Sequence, residues 1–124
     1  MKPIRIANTN PTTTIKFLGV TLTIAKNNNI EYKKKLATLT APHRQAMKNN
    51  VLDDETAQEI TCRSMAGTIL LGWDELLVDG EPIEFNEENA TSLLFFDEDC
   101  FAEVVNASRT LENFLVQQDN DVAG

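Results

Sequence analysis

The sequence predicts a mainly α (α+β) fold: a helical bundle of about five helices, with an N-terminal β-strand or hairpin and a small hairpin-like loop at residues 76–85. Three observations support this fold class. Apolar residues recur at helical spacing, Asp or Asn residues stand where helices would begin, and one early stretch alternates apolar residues with threonines. The length of 124 residues suits a single domain, residues 1–124, with polar tails at about 1–14 and 117–124.

The early strand pattern covers Ile15 to Ile24. Val20, Leu22 and Ile24 alternate with threonines, and Gly19 indicates a bulge or a turn between two short strands. An isolated hairpin is only marginally stable in water, so we expect this one to pack on the helices or on another subunit.

Helices are expected over most of the remaining chain. Asp and Asn are favourable N-caps, and acidic residues in a first turn suit the helix dipole. The predicted helices are Asn27–Leu39, Pro42–Lys48, Asp53–Leu71, Asn86–Phe95 and Glu98 to about Val116. An apolar face runs along the third helix and just past its end, formed by Cys62, Met65, Ala66, Ile69, Leu70 and Trp73.

A loop rich in helix breakers follows the third helix. Asp79-Gly80 is a turn signal, because glycine tolerates positive φ and Asp bonds to its own backbone. We therefore expect Leu76–Val78 and Ile83–Phe85 to form the arms of a small hairpin or of an irregular turn. Asn86 then caps the next helix, and Asp97 caps the one after it.

Several short motifs follow one another in the second half of the chain. LLGWDELL is followed by DGEPIEFNEENA, by SLL and by Asn113-Phe114, while residues 24–29 precede them with Tyr32. Together these motifs resemble the tail assembly chaperones of long-tailed bacteriophages, over roughly residues 17–115. The chain departs from this family at Glu84, where relatives commonly have proline, and at Asn86, where they often have serine.

The resemblance implies a non-enzymatic protein that binds the tape-measure protein, which sets tail length. It would keep this partner soluble until tail-tube polymerisation, when tail-tube protein could displace it. The implied location is the host bacterial cytoplasm, not the mature virion. A structural virion protein of the head–tail connector or tail terminator type is the alternative, and a nucleic-acid mimic is a weaker one.

The partner-binding surface is expected near the small hairpin. The candidate residues are the apolar ones of this region: Trp73, Leu76, Leu77, Ile83 and Phe85. For Trp73, Ile83 and Phe85, packing in the protein's own core is the role that we favour over partner binding.

Charge is distributed unevenly along the chain. Residues 1–50 carry nine Lys or Arg and one acid, whereas residues 51–124 carry two Arg and eighteen acids, within a net charge of −8. Either the two halves face each other inside one molecule, or the basic half of one subunit meets the acidic half of the next in head-to-tail self-association. Lys33-Lys34-Lys35 is expected to be a solvated face, since the acidic majority would repel nucleic acid.

Motifs of catalysis and cofactor binding are absent from the sequence, which lacks HExxH, GxSxG, GxxxxGK[ST] and GxGxxG. His43 is the single histidine, and the acidic clusters at residues 53–55 and 97–99 suit helix caps better than a divalent metal. We expect no enzyme activity, cofactor or metal.

Cys62 and Cys100 are expected to be buried and free, with a disulfide or metal pair as the alternative. No apolar run has the length of a membrane span, and the N-terminus lacks a secretion signal core.

Overall fold

A computed structural model describes residues 12–110 of the chain. The elements are β1 (Thr12–Phe17), β2 (Val20–Ala25), α1 (Ile30–Thr40), a 3-10 turn (Ala41–His43), α2 (Arg44–Lys48), α3 (Asp54–Met65), β3 (Leu70–Trp73), β4 (Leu76–Val78), β5 (Glu81–Ile83), α4 (Glu87–Phe96) and α5 (Glu98–Arg109). None of these helices is both long enough and apolar enough to cross a membrane.

The prediction of a bundle of about five helices is wrong. Within residues 12–110 the helices are combined with two antiparallel sheets, one of three strands in the order β1-β2-β3 and one made of β4 and β5. The larger sheet is part of the core, because Leu22 and Ile24 of β2 and Leu70 of β3 are fully buried against α3, α4 and α5 residues. The fold is therefore a mixed α+β fold.

The main error lies in the helix predicted over Asp53–Leu71. Helix α3 ends at Met65, Ala66 is extended, and Gly67 has a φ of +82°, a conformation that favours glycine. The chain then reverses, and Leu70–Trp73 pairs with β2. The apolar spacing of this run fits one face of a helix, but burial in a central sheet also requires a nearly continuous apolar run, so spacing alone does not separate the two.

The N-terminal hairpin is present as predicted. Strands β1 and β2 pair from Thr12↔Ala25 to Phe17↔Val20, which leaves Leu18 and Gly19 as a two-residue turn. Both turn residues have positive φ, 50° and 84° respectively. Residues 12–14, expected in the polar tail, belong to β1, while residues 1–11 lie outside the described part of the chain.

Helix α1 begins at Ile30, not at Asn27, because Asn29 acts as its N-cap. The Asn29 Oδ1 accepts a hydrogen bond from the Tyr32 backbone N–H at 2.9 Å. Its Nδ2 donates to the backbone oxygens of Lys26 at 2.8 Å and of Thr68 at 2.9 Å. One side chain thus joins the end of β2, the start of α1 and the turn before β3.

Three other N-caps are present where the sequence predicts them. Asp53 accepts from the Thr56 backbone, Asn86 from Asn89 and Asp97 from Cys100, at 3.2, 2.7 and 3.0 Å. Helix α5 ends at Arg109, earlier than the predicted end near Val116, and residues 111–124 lie outside the described part.

Lys35 differs from the two lysines before it in the predicted solvated face. Its Nζ donates to the backbone oxygen of Ala66 at 2.6 Å and lies 2.9 Å from the Glu87 carboxylate. The ammonium therefore lies between the C-terminus of α3 and the first turn of α4, where the two helix dipoles favour a cation and an anion respectively. Lys33 and Lys34 are exposed.

Cys62 on α3 and Cys100 on α5 are buried free thiols, as predicted. Burial is the main cause that raises the pKa of Cys62 to about 11 and that of Cys100 to about 12. Both thiols are therefore protonated at neutral pH and shielded from reagents, so they are structural rather than reactive.

These shifted pKa values predict a loss of stability at alkaline pH. The unfolded chain releases thiol protons from about pH 8.5, whereas the folded chain keeps them until pH about 11 to 12. The contribution of the neutral thiols is complete below about pH 8.5 and declines as pH rises towards the folded pKa values. Urea unfolding at stepped pH should show a steeper alkaline decline for the wild type than for the variant with Cys62→Ala and Cys100→Ala. Equal declines would contradict the burial of the thiols.

Candidate interaction surface

The predicted partner-binding residues lie together at one end of the large sheet. Trp73 ends β3, Leu76 and Leu77 belong to β4, Ile83 ends β5, and Phe85 follows it in the connection to α4. Leu76 and Ile83 are direct cross-strand neighbours. The structure therefore brings the predicted set into one small hairpin and its base.

The hairpin is formed by β4 and β5 around the Asp79-Gly80 turn. Both turn residues have positive φ, 55° and 81°, the combination that a two-residue hairpin turn of type I′ requires. The turn is where the sequence predicts it, but the second arm is Glu81–Ile83, not Ile83–Phe85. In a two-residue turn the second strand begins at the residue directly after the turn, so β5 starts at Glu81, two residues earlier than predicted.

Trp73 attaches this hairpin to the rest of the protein. Its indole Nε1 donates to the backbone oxygen of Ile83 at 2.9 Å, and its ring packs edge to face on Phe85 with centroids 4.8 Å apart. The same residue pairs with Leu22 in the large sheet. Trp73 and Phe85 are partly buried against the core, so both have a packing role at the base of the hairpin.

Asp74 fixes the direction in which the chain leaves the large sheet. Its Oδ1 accepts from the backbone N–H groups of Thr21 at 3.0 Å and of Glu75 at 2.7 Å, and its own N–H donates to the Thr21 oxygen at 3.1 Å. The two bonds to the carboxylate lower the pKa of Asp74. The hairpin therefore has a defined exit from β3.

The apolar side chains of β4 that remain exposed are Leu77 and Val78. They are 53% and 49% exposed, and as neighbours in a strand they point to opposite faces of the hairpin. Leu18, in the turn between β1 and β2, is also exposed. It lies at the same end of the sheet, because β2 begins directly after this turn and its second residue, Thr21, bonds to Asp74 at the end of β3. We name Leu18, Leu77 and Val78 the apolar hairpin surface.

Sequence reasoning identified Leu77 but missed Leu18 and Val78. Val78 continues the same apolar run and could have been included. Leu18 occupies a left-handed turn position with a φ of 50°, where Asn, Asp or Gly is usual, and its exposure was not visible from the strand pattern. An exposed leucine in a strained turn is a feature that folding alone does not favour.

Carboxylates surround the hairpin. Glu75, Asp79, Glu81 and Glu84 are exposed, and none of them lies within 4 Å of a Lys or Arg in the described part of the chain. Their charges keep this apolar end hydrated and favour partners that carry basic residues beside apolar ones.

The described residues offer no metal centre. No group of three or more His, Cys, Asp or Glu among residues 12–110 is placed to hold a metal ion. The hairpin end consists of two strands with exposed apolar side chains on both faces, attached to the core by the indole ring of Trp73.

Comparison with known families gives a match over most of the chain. The model of the family described as YdaY prophage protein matches residues 25–124, which are 100 of the 124 residues. The match begins at the last residue of β2 and includes the whole β4–β5 hairpin. No curated protein and no solved structure matches the chain.

Proposed function

Because the chain belongs to the YdaY prophage protein family and is thus phage-derived, we propose that it is a non-enzymatic phage tail assembly chaperone. It binds the tape-measure protein in the host bacterial cytoplasm and keeps this partner soluble. Tail-tube protein displaces it when the tube polymerises, and the chaperone does not remain in the mature virion.

The apolar hairpin surface is the observation that carries this proposal. A protein that shields apolar segments of a partner needs apolar side chains that do not collapse into its own core. Leu77 and Val78 meet this need, because Trp73 holds the base of the hairpin while the two side chains stay exposed. The hairpin is also part of the segment whose motifs resemble the tail assembly chaperones.

The charges of the hairpin end support the same role. The carboxylates that surround the apolar residues repel other copies of this end, which opposes aggregation of the chaperone itself. They also attract basic residues in a partner segment, which raises the rate of association. Binding and release of this kind need no catalytic group.

Co-expression with the tape-measure protein of the same prophage tests the proposal. The wild-type chain should raise the soluble fraction of the tape-measure protein, and the variant with Leu77→Ser and Val78→Thr should lose most of this effect. Met47→Ser with Val51→Thr is the matched control, since both residues are exposed and apolar but lie on or just after α2. Circular dichroism checks that both variants fold.

Two outcomes would contradict the proposal. One is a soluble fraction of tape-measure protein that the wild-type chain does not change. The other is the chain in purified phage particles, measured by mass spectrometry at a fixed copy number, which would indicate a structural virion protein of the connector or terminator type.

A further inference from the structure

The opposite charges of the two halves are joined by few ion pairs inside the molecule. Among residues 12–110, Arg63 pairs with Glu59 within α3, and only Lys35 with Glu87 links the basic half to the acidic half. Most of the other charged side chains are exposed. Intramolecular pairing therefore accounts for little of the charge asymmetry, and contacts between molecules become the stronger explanation.

Helix α1 has an exposed face that is both basic and apolar. Ile30, Lys33, Lys34 and Ala37 are spaced so that they share one side of the helix, and all four are exposed. Ile30 is 66% exposed, and neither lysine has an ion-pair partner in the described part of the chain. We name Ile30, Lys33 and Lys34 the α1 face.

The junction of α4 and α5 has an exposed surface of the opposite charge. Phe96, the last residue of α4, is 80% exposed and packs edge to face on Phe95, with centroids 4.9 Å apart. Phe95 lines a shallow groove together with Asp54, Glu55, Gln58 and Glu98. The three carboxylates have no ion-pair partner among residues 12–110. We name Phe96, Asp54, Glu55 and Glu98 the Phe96 face.

The two faces lie at opposite ends of α3. Hydrogen bonds from Lys35 to Ala66 and from Asn29 to Thr68 place the first turns of α1 at the C-terminal end of α3. Asp54 and Glu55 form its first turn, at the other end. Twelve residues of helix span about 18 Å, so the α1 face and the Phe96 face of one molecule do not meet.

We infer that the occupant of the Phe96 face is the α1 face of a second copy of this chain. Ile30 of one copy would contact Phe96 of the next, and the two lysines would pair with the carboxylates around the groove. Because the two faces differ, the contact is heterologous: it repeats head to tail and gives a ring or an open helical chain. This inference uses a surface separate from the apolar hairpin surface and does not depend on the proposed function.

The dependence on salt is the first test. The full chain, with a monomer mass of 13.8 kDa, should sediment as a concentration-dependent series of oligomers at about 0.05 M NaCl and mainly as monomer at about 0.5 M. A monomer at both salt concentrations, up to high micromolar protein, would overturn the inference.

Two single-face variants test the surfaces themselves. Lys33→Glu with Lys34→Glu reverses the α1 face, and Phe96→Lys removes the aromatic anchor from the other face, at a helix C-terminus where a cation is favourable. Each variant alone should associate at least about tenfold more weakly than the wild type. Lys16→Glu with Lys48→Glu is the matched control, since both lysines are exposed and lie outside the two faces.

Mixing the two variants distinguishes a head-to-tail contact from a symmetric one. The Lys33→Glu/Lys34→Glu variant retains its Phe96 face, and the Phe96→Lys variant retains its α1 face, so an equimolar mixture should give a one-to-one heterodimer and little larger material. Phe96→Leu should restore most of the self-association that Phe96→Lys loses. Variants that associate as strongly as the wild type when alone, or a mixture that stays monomeric, would contradict the assignment of these faces.

Discussion

Replacement of Trp73 by alanine should lower the free energy of unfolding by about 3 kcal/mol, the loss expected when a large aromatic side chain is removed from a packed site. The indole joins two parts of the fold: it packs on Phe85 and bonds to the Ile83 backbone on the hairpin, and it pairs with Leu22 in the large sheet. Urea denaturation followed by circular dichroism measures the loss.

Trp73→Phe is the matched control for this prediction. A phenyl ring keeps an aromatic contact with Phe85 but cannot donate to the Ile83 oxygen, so it should lose about 1 to 2 kcal/mol. The alanine substitution should also speed hydrogen exchange relative to the wild type. The increase should be larger for the hairpin amides than for the β2 amides, because the hairpin loses its attachment. An alanine variant with unchanged hairpin exchange would show that Trp73 is not the attachment.

The second large effect is expected for Leu70→Ala. Leu70 begins β3, pairs with Ile24 and is fully buried in the core. Truncation leaves a cavity between the sheet and the helices, so the free energy of unfolding should fall by about 3 to 4 kcal/mol.

Leu71→Ala is the matched control for Leu70. Leu71 lies in the irregular part of the β2–β3 pairing and is only partly buried, so its truncation should cost about 1 kcal/mol. The measurement is again urea unfolding. If the two substitutions cost the same, the register of β3 against β2 would be wrong.

Features that depend on a few neighbouring residues could be predicted from the sequence. Asn86 and Asp97 cap helices, and Asp79-Gly80 turns a hairpin, because each acts through its own side chain or φ angle within one helical turn or two residues. Strand β3 could not be predicted in this way. Its identity depends on pairing with β2, a partner distant in sequence, and the spacing of its apolar residues fits a helix equally well.

The candidate surface was predicted as a group but not in detail. The proximity of Trp73, Leu76 and Leu77 to the turn was enough to place them together. The sequence did not show which side chains turn inward, because that depends on the bond from Trp73 to Ile83 and on its contact with Phe85. The exposure of Phe96 could not be predicted from the sequence either, because a phenylalanine at the end of an apolar helix is expected to be buried.

Hydrogen exchange of the chain bound to its partner tests the central claim most directly. The complex co-purified with the tape-measure protein would be compared with the free chain, peptide by peptide. We expect the largest protection over Leu76–Ile83 and in the Leu18 turn. Protection confined to other elements, with exchange of the β4–β5 hairpin unchanged in a complex of full occupancy, would contradict the assignment of this hairpin as the binding surface.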